Sequence, residues 1–134
     1  MPFMRIDLNE GKPETYVQAL GEGVHQAIKE VFGVPERDRF QVIAEHKRGR
    51  LIYDPGYFDI DRTDDFVLVQ VTLGSGRTTV QKQEFFARLA ELLEHSPGLR
   101  PQDLFVTLVE NSLDNWTFGN GVAQCITVPR ERWR

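Results

Sequence analysis

The residue with the widest chemical reach in this 134-residue chain stands second, Pro2. A small residue behind Met1 is the context in which cytosolic processing removes the initiator, and the chain then begins with the secondary amine of Pro2. A terminal amine ordinarily titrates at about 7.7–8.0, so modest surroundings move it across neutrality. Beside cations or in an apolar pocket it sheds its proton and becomes a general base; beside a carboxylate it stays protonated and polarises a carbonyl as a general acid. Arg77 falls just ahead of a predicted helix, where free backbone N–H groups favour an anion and a cation opposes the helix dipole. A residue set against local preference points to substrate-carboxylate binding, with an ion pair as the plainer reading. Asp38 lies between a helix end and a strand. It reads either as a turn former or partner of Arg37 or Arg39, or as a carboxylate that orients a water or a proton. Trp116 and Phe118 alternate in the tail, as core or interface on one reading and as a pocket wall on the other.

These residues need a frame. Phe3, Met4, Ile6 and Leu8 predict a short opening strand, with Pro2 where a missing N–H costs the ladder nothing. Pro13 opens a helix whose apolar face is Val17, Leu20, Val24, Ala27, Ile28 and Val31. Gly21 and Gly23 weaken that helix and admit close approach by another backbone. Gly33 is a left-handed cap, and Pro35 blocks continuation. A strand follows over 40–45, then a turn at 47–50 into Leu51-Ile52-Tyr53 as a short hairpin, then a polar loop to Asp65. The strand at 66–73 leads through a Gly-Ser-Gly turn to Thr78, which caps a second helix with Phe85, Leu89, Leu92 and Leu93 on its apolar face. Gly98 caps that helix, and a fourth strand covers 104–109. The tail predicts a hairpin over 116–126 around Gly119-Asn120-Gly121, and 129–134 a loose or partner-docked end.

The two halves superpose by a shift of 65 residues without a gap. Hydrophobic matches such as Ile6 on Val71 are easily obtained. Gly11 on Gly76, Lys12 on Arg77, Gly33 on Gly98 and Asp38 on Asp103 in the same register are harder to obtain by chance. The expected fold is therefore α+β: one domain over 1–134, an internal repeat of 1–46 and 66–111, and duplicated β-α-β units forming a four-stranded mixed sheet with two helices on one face, plus short hairpins. The other sheet face is left bare yet carries apolar residues, which calls for another subunit.

Composition removes several function classes. A net charge of −4 provides no basic footprint for nucleic acid. No apolar run suits a transmembrane span, so no membrane partner is expected. One cysteine, Cys125, excludes an internal disulfide framework and suits a reducing cytoplasm. The three histidines are too scattered for a structural metal site.

Pro2-Phe3, Phe32-Gly33-Val34-Pro35 through Asp38-Arg39-Phe40, Glu45-His46-Lys47 and Asn115-Trp116-Thr117-Phe118-Gly119, set on a doubled strand-helix-strand unit, resemble the tautomerase superfamily over essentially the whole chain. The closer similarity is to its malonate semialdehyde decarboxylase-like branch. The resemblance implies a homotrimer, no cofactor, a catalytic N-terminal proline and small 2-oxo or 3-oxo carboxylate substrates. It assigns Pro2, Asp38 and Arg77 to catalysis, and Arg77, Ser75, Trp116 and Phe118 to substrate binding. Ser75 occupies the place where that branch carries a second arginine. The implied reactions are keto-enol tautomerisation, hydration and decarboxylation; a trimeric binding module that keeps the fold without catalysis is the alternative.

Overall fold

The computed structural model describes all 134 residues. Met4, Ile6 and Leu8 alternate along β1 (Pro2–Asn9) and are sealed from solvent; Val67, Val69, Val71 and Leu73 do the same along β3 (Val67–Gly74). These two strands pair antiparallel at the centre of the sheet, Ile6 opposite Val69 and Met4 opposite Val71. Strand β2 (Phe40–His46) joins β1 in parallel, and β4 (Leu104–Asn111) joins β3 in parallel, so the order is β2-β1-β3-β4. The strand-helix-strand unit thus occurs twice, and the sheet is mixed because the units meet antiparallel.

Helix α1 (Glu14–Phe32) and helix α2 (Thr79–His95) cover one face. Leu20, Val24, Ala27 and Ile28 of α1 and Phe85, Leu89 and Leu93 of α2 close the core against β1 and β3. Each such side chain contributes on the order of 1.5–3 kcal/mol by leaving water. Pro13 is the residue before α1 rather than its first turn, and Gly33 caps that helix at φ +66° as its sequence position predicts. Thr78 forms a full capping box with Gln81. Helix α2 stops at His95, earlier than the Gly98 cap implies. Gly98 lies beyond the end at φ +97° and donates its N–H to Leu93 O at 3.1 Å. The α1 glycines admit side chains rather than backbone: a Cβ on Gly23 would lie 2.5 Å from Leu93 Cδ2 of α2, and one on Gly21 3.0 Å from Gln41 Oε1 of β2.

The predicted hairpins do not form. Residues 47–66 make no strand; the segment crosses from the end of β2 to the start of β3, with Tyr53 stacked on Phe66 at 4.1 Å and donating its hydroxyl to Thr63 O. After β4 the chain makes a short 3-10 turn (Leu113–Asn115), an irregular stretch and the four-residue helix α3 (Gln124–Thr127) instead of a hairpin over 116–126. Side-chain bonds take the place of a ladder: the Phe118 N–H donates to Gln124 Oε1 and Gln124 Nε2 donates to Gly119 O. The uncovered sheet face exposes Phe3, Phe40, Val42, Phe105 and Val109.

Candidate active site

Strand β1 begins at the chain terminus, so the fold itself brings the first nitrogen indoors. Pro2 is buried and sits opposite Leu73 of β3. The amine of Met1 lies 3.0 Å from Asp38 Oδ2, and the Met1 side chain is only 7% exposed. Asp38 follows the Pro35 turn that links α1 to β2, its N–H donating to Pro35 O. Neither Arg37 nor Arg39 pairs with it; Arg39 bonds Glu22 and Gln41. The second carboxylate oxygen, Oδ1, is buried without a partner. An unpaired acceptor of that kind is costly unless a water or ligand meets it. Burial pulls the terminal amine below its ordinary pKa. Asp38 opposes that pull, and the charges of Arg77 and Arg130 reinforce it.

Arg77 follows the Gly-Ser-Gly turn ahead of α2. It donates to Gly74 O at 2.6 Å, and its guanidinium lies 5.3 Å from the centre of the Phe32 ring. Burial holds its pKa down; Glu110 and Asp38 raise it and Arg130 lowers it further. Glu110 itself is engaged by Lys82, so Arg77 has no ion-pair partner of its own. The Met1 side chain fills the space beside it: a Cβ on Gly74 would lie 3.4 Å from the Met1 methyl and 4.0 Å from Arg77 Nη1. Loss of Met1 would open that space between Asp38 and Arg77.

A cavity of about 310 Å³ adjoins the terminus, with Met1, Asp38, Phe40, Phe118 and Trp133 in its wall. Of the aromatic pair from the tail, Phe118 lines the cavity and Trp116 stands behind it, stacked at 6.0 Å and anchored by its indole N–H to Asn111 Oδ1 at 2.6 Å. Phe118 also packs on Phe40 at 5.5 Å. Ser75 lies apart: it is exposed, and both its N–H and its hydroxyl donate to Asn111 O at 2.8 Å. The structure thus gathers Pro2, Asp38, Arg77 and Phe118 around one terminus, keeps Trp116 as a support, and leaves Ser75 outside.

Sequence reasoning missed the last six residues. They turn back over the terminus, and Arg132, Trp133 and Arg134 join Arg37 in the cavity wall. The alternation Arg130-Glu131-Arg132-Trp133-Arg134 was the available signal. His46 and Tyr53 lie elsewhere, His46 bonding Asp7 at 2.6 Å on the open sheet face.

Two family models described as tautomerase enzyme match the chain, one over residues 38–119 and one over residues 2–58. The chain is 39% identical over 126 residues to the probable tautomerase YusQ of Bacillus subtilis (strain 168), which covers 94% of this chain and 99% of that protein. It is 38% identical to the probable tautomerase YrdN of the same organism, covering 95% of this chain and 98% of that one. Among solved structures, a malonate semialdehyde decarboxylase with decarboxylase and hydratase activities superposes with a TM-score of 0.87 at 33% identity, covering 93% of this chain and 96% of the other. A second, FG41 malonate semialdehyde decarboxylase inhibited by 3-bromopropiolate, gives 0.88 at 34% identity, covering 93% and 95%. A fused 4-OT symmetric trimer shares the fold at 20% identity and a TM-score of 0.76. The chain belongs to the tautomerase superfamily of enzymes, on the side of its malonate semialdehyde decarboxylase-like branch.

Proposed function

We propose that this chain is a cofactor-free keto-enol tautomerase of small 2-oxo or 3-oxo carboxylates, with the nitrogen of Pro2 as its general base once Met1 is removed. The observation that carries this reading is the burial of the chain's first nitrogen between a carboxylate and an arginine that has no partner. Removal of Met1 shifts the terminal amine by one residue, about 3.8 Å along the chain, and converts a blocked amide into a base. Burial lowers the pKa of such an amine and so favours its unprotonated form. Arg77 holds the substrate carboxylate by charge-assisted hydrogen bonds. The Pro2 nitrogen takes the enol hydroxyl proton and returns a proton to carbon, so the enol becomes the ketone with no net change of atoms. Phe40 and Phe118 keep water from the exposed carbanion-like carbon.

A second reading, hydration or decarboxylation, is favoured by the unpartnered Asp38 Oδ1 and by the malonate semialdehyde decarboxylase likeness. There Pro2 stays protonated and polarises the carbonyl while Asp38 orients water. The two readings have opposite pH behaviour. A base loses activity as pH falls through the amine pKa; an acid loses it as pH rises through that value. The bare sheet face, with Phe3, Phe40, Val42, Phe105 and Val109 exposed, supports a homotrimer that buries it.

The test is turnover of phenylenolpyruvate by native protein and by Pro2→Ala, with intact mass to follow Met1. The expected result is loss of Met1 and a fall of at least about 100-fold in kcat/KM for the variant. Equal rates would sink the Pro2 mechanism; no turnover by native protein would leave the non-catalytic binding module.

A further inference from the structure

This inference rests on the homotrimer reading and concerns what governs assembly. The sheet face turned away from the helices exposes Phe3, Phe40, Val42, Phe105 and Val109. Among them stand Arg5 and Asp7 of β1 and His46 of β2, with Arg5 beside Val42 and Asp7 beside Ala44 in the register. Arg5 holds the Asp7 carboxylate in a fork, Nε donating to Oδ2 at 3.0 Å and Nη2 to Oδ1 at 3.1 Å. His46 donates from Nε2 to Oδ1 at 2.6 Å. The Asp7 side chain is only 9% exposed, on the face that no helix covers. Its charge has already left water, and the sheet's own side chains satisfy both oxygens. Much of the desolvation that a covering subunit would impose is therefore already made. The other residues that share this face, Leu68, Gln70 and Thr72 of β3 and Phe105, Thr107 and Val109 of β4, are uncharged. Glu45 alternates to the helix side, and Glu10 and Lys47 are exposed past the strand ends. With His46 neutral, Arg5 and Asp7 cancel. The face then asks no counter-charge of whatever covers it, which suits a second copy of the same chain. With His46 protonated, one positive charge is left over. Asp7 is already matched by Arg5, so taking that extra charge out of water opposes assembly.

We infer that the Arg5, Asp7 and His46 network is a proton-operated latch on assembly: copies of this chain close over the neutral imidazole and loosen when His46 takes up a proton. Assembly is tightest above the range in which an imidazole titrates and weakens below it.

Sedimentation velocity with fluorescence detection, at matched ionic strength and over a wide range of protein concentration, tests this on native protein, His46→Gln and His95→Gln. Glutamine at position 46 keeps a donor for Asp7 and cannot gain a proton. Native protein should be trimeric at about pH 8, and its dissociation constant should rise by at least about tenfold by about pH 5.5. His46→Gln should hold one dissociation constant across that range. His95→Gln, at an exposed helix residue, should keep the native response. A native trimer as tight at the lower pH as at the higher, or undissociated at both, would overturn the latch, and so would the same weakening in His46→Gln. A second measurement needs no variant: dissociation of native protein on dilution at about pH 6.5 should take up protons, read in calorimetry as a heat that changes with the ionisation enthalpy of the buffer. Absence of that uptake would also overturn it. Native protein that is monomeric at about pH 8 would instead remove the homotrimer reading, and the latch with it, so the two failures are told apart.

Discussion

Just before β4, Asp103 accepts the Thr63 N–H at 2.7 Å and the Thr63 hydroxyl at 2.8 Å. Just before β2, Asp38 accepts the Met1 amine at 3.0 Å. The two aspartates are 65 residues apart, the same offset that aligns the halves of the sequence. Each sits at the entry to an outer strand and fastens the entry to the neighbouring inner strand. Their surroundings differ. Asp103 is fully buried, both its oxygens are bonded, and Arg100 stands 3.7 Å away. Asp38 is 17% exposed and keeps one oxygen free. The same contrast separates Lys12 from Arg77. Lys12 pairs with Asp65 at 2.7 Å, and that bond is the main reason its pKa rises; Arg77 has no such partner. A clasp on an internal amide is saturated and only holds the fold. A clasp on a chain terminus holds a titratable nitrogen, and its carboxylate keeps one buried oxygen unbonded in a residue that lines a cavity.

Exchanging carboxylate for amide at the two aspartates separates these roles most widely. Asp103→Asn keeps an acceptor for the Thr63 N–H but sets an amide NH2 against the Thr63 hydroxyl and removes a fully buried charge 3.7 Å from Arg100. The expected loss is about 3 kcal/mol of stability, roughly 10 °C in Tm for a chain of this size. Asp38→Asn should scarcely move Tm. It removes the negative charge that raises the amine pKa, so the acidic limb of the tautomerase pH profile shifts to lower pH. Thermal melts and a pH series on the same two variants check both halves of the comparison. A large Tm loss in Asp38→Asn, or an unmoved pH limb, would make Asp38 as structural as Asp103.

The cation pair is the next contrast. Arg77→Met removes a charge-assisted contact to the substrate carboxylate, and KM for phenylenolpyruvate should rise by about 10- to 100-fold. Lys12→Met breaks a partly exposed ion pair with Asp65. It should change stability by less than about 1 kcal/mol and leave both kcat and KM alone. Steady-state kinetics on the two variants decide. If Lys12→Met raises KM as much as Arg77→Met does, the halves are functionally equivalent and the assignment of the site to one terminus fails.

The frame of the molecule was legible because it follows from period and punctuation. Alternating Met4, Ile6 and Leu8, the three- and four-residue spacing of Val17 to Ile28, the Thr78 cap and the Gly33 stop each act locally, and each holds in the structure. The hairpins were misread because Gly119-Asn120-Gly121 signals a turn without signalling what flanks it. Gln124 satisfies the backbone there with its side chain, a long-range choice that no local pattern records. At the site, residue type, position and the family resemblance point to Pro2, Asp38 and Arg77 as candidates, and the structure places them near one terminus. Ser75 was placed there by analogy, while its hydroxyl is directed to Asn111 O. The tail arginines went unread because only three-dimensional return brings 130–134 to residue 1, and a short charged terminus looks the same whether it folds back or frays.

The helices carry the last asymmetry between the halves. At the offset of 65, Gly23 of α1 corresponds to Arg88 of α2, so one helix has a notch where the other has a long side chain. The notch receives Leu93: a Cβ on Gly23 would stand 2.5 Å from Leu93 Cδ2, well inside contact distance. Gly23→Ala therefore sets two effects against each other. Alanine gains about 0.5–1 kcal/mol in a helix interior. Forcing a methyl against a buried leucine costs about 1–3 kcal/mol, because the core has no room to take up the shift. Leu93 is fully buried, so the clash should win, with a net loss of about 1 kcal/mol on denaturant unfolding. Leu93→Val alone should also destabilise, by removing a buried methylene. The double variant should be more stable than the two losses added together, since the shortened side chain vacates the space the new methyl needs. Strict additivity would mean that Leu93 swings clear of position 23 at no cost, and that the two helices are not keyed together at this notch.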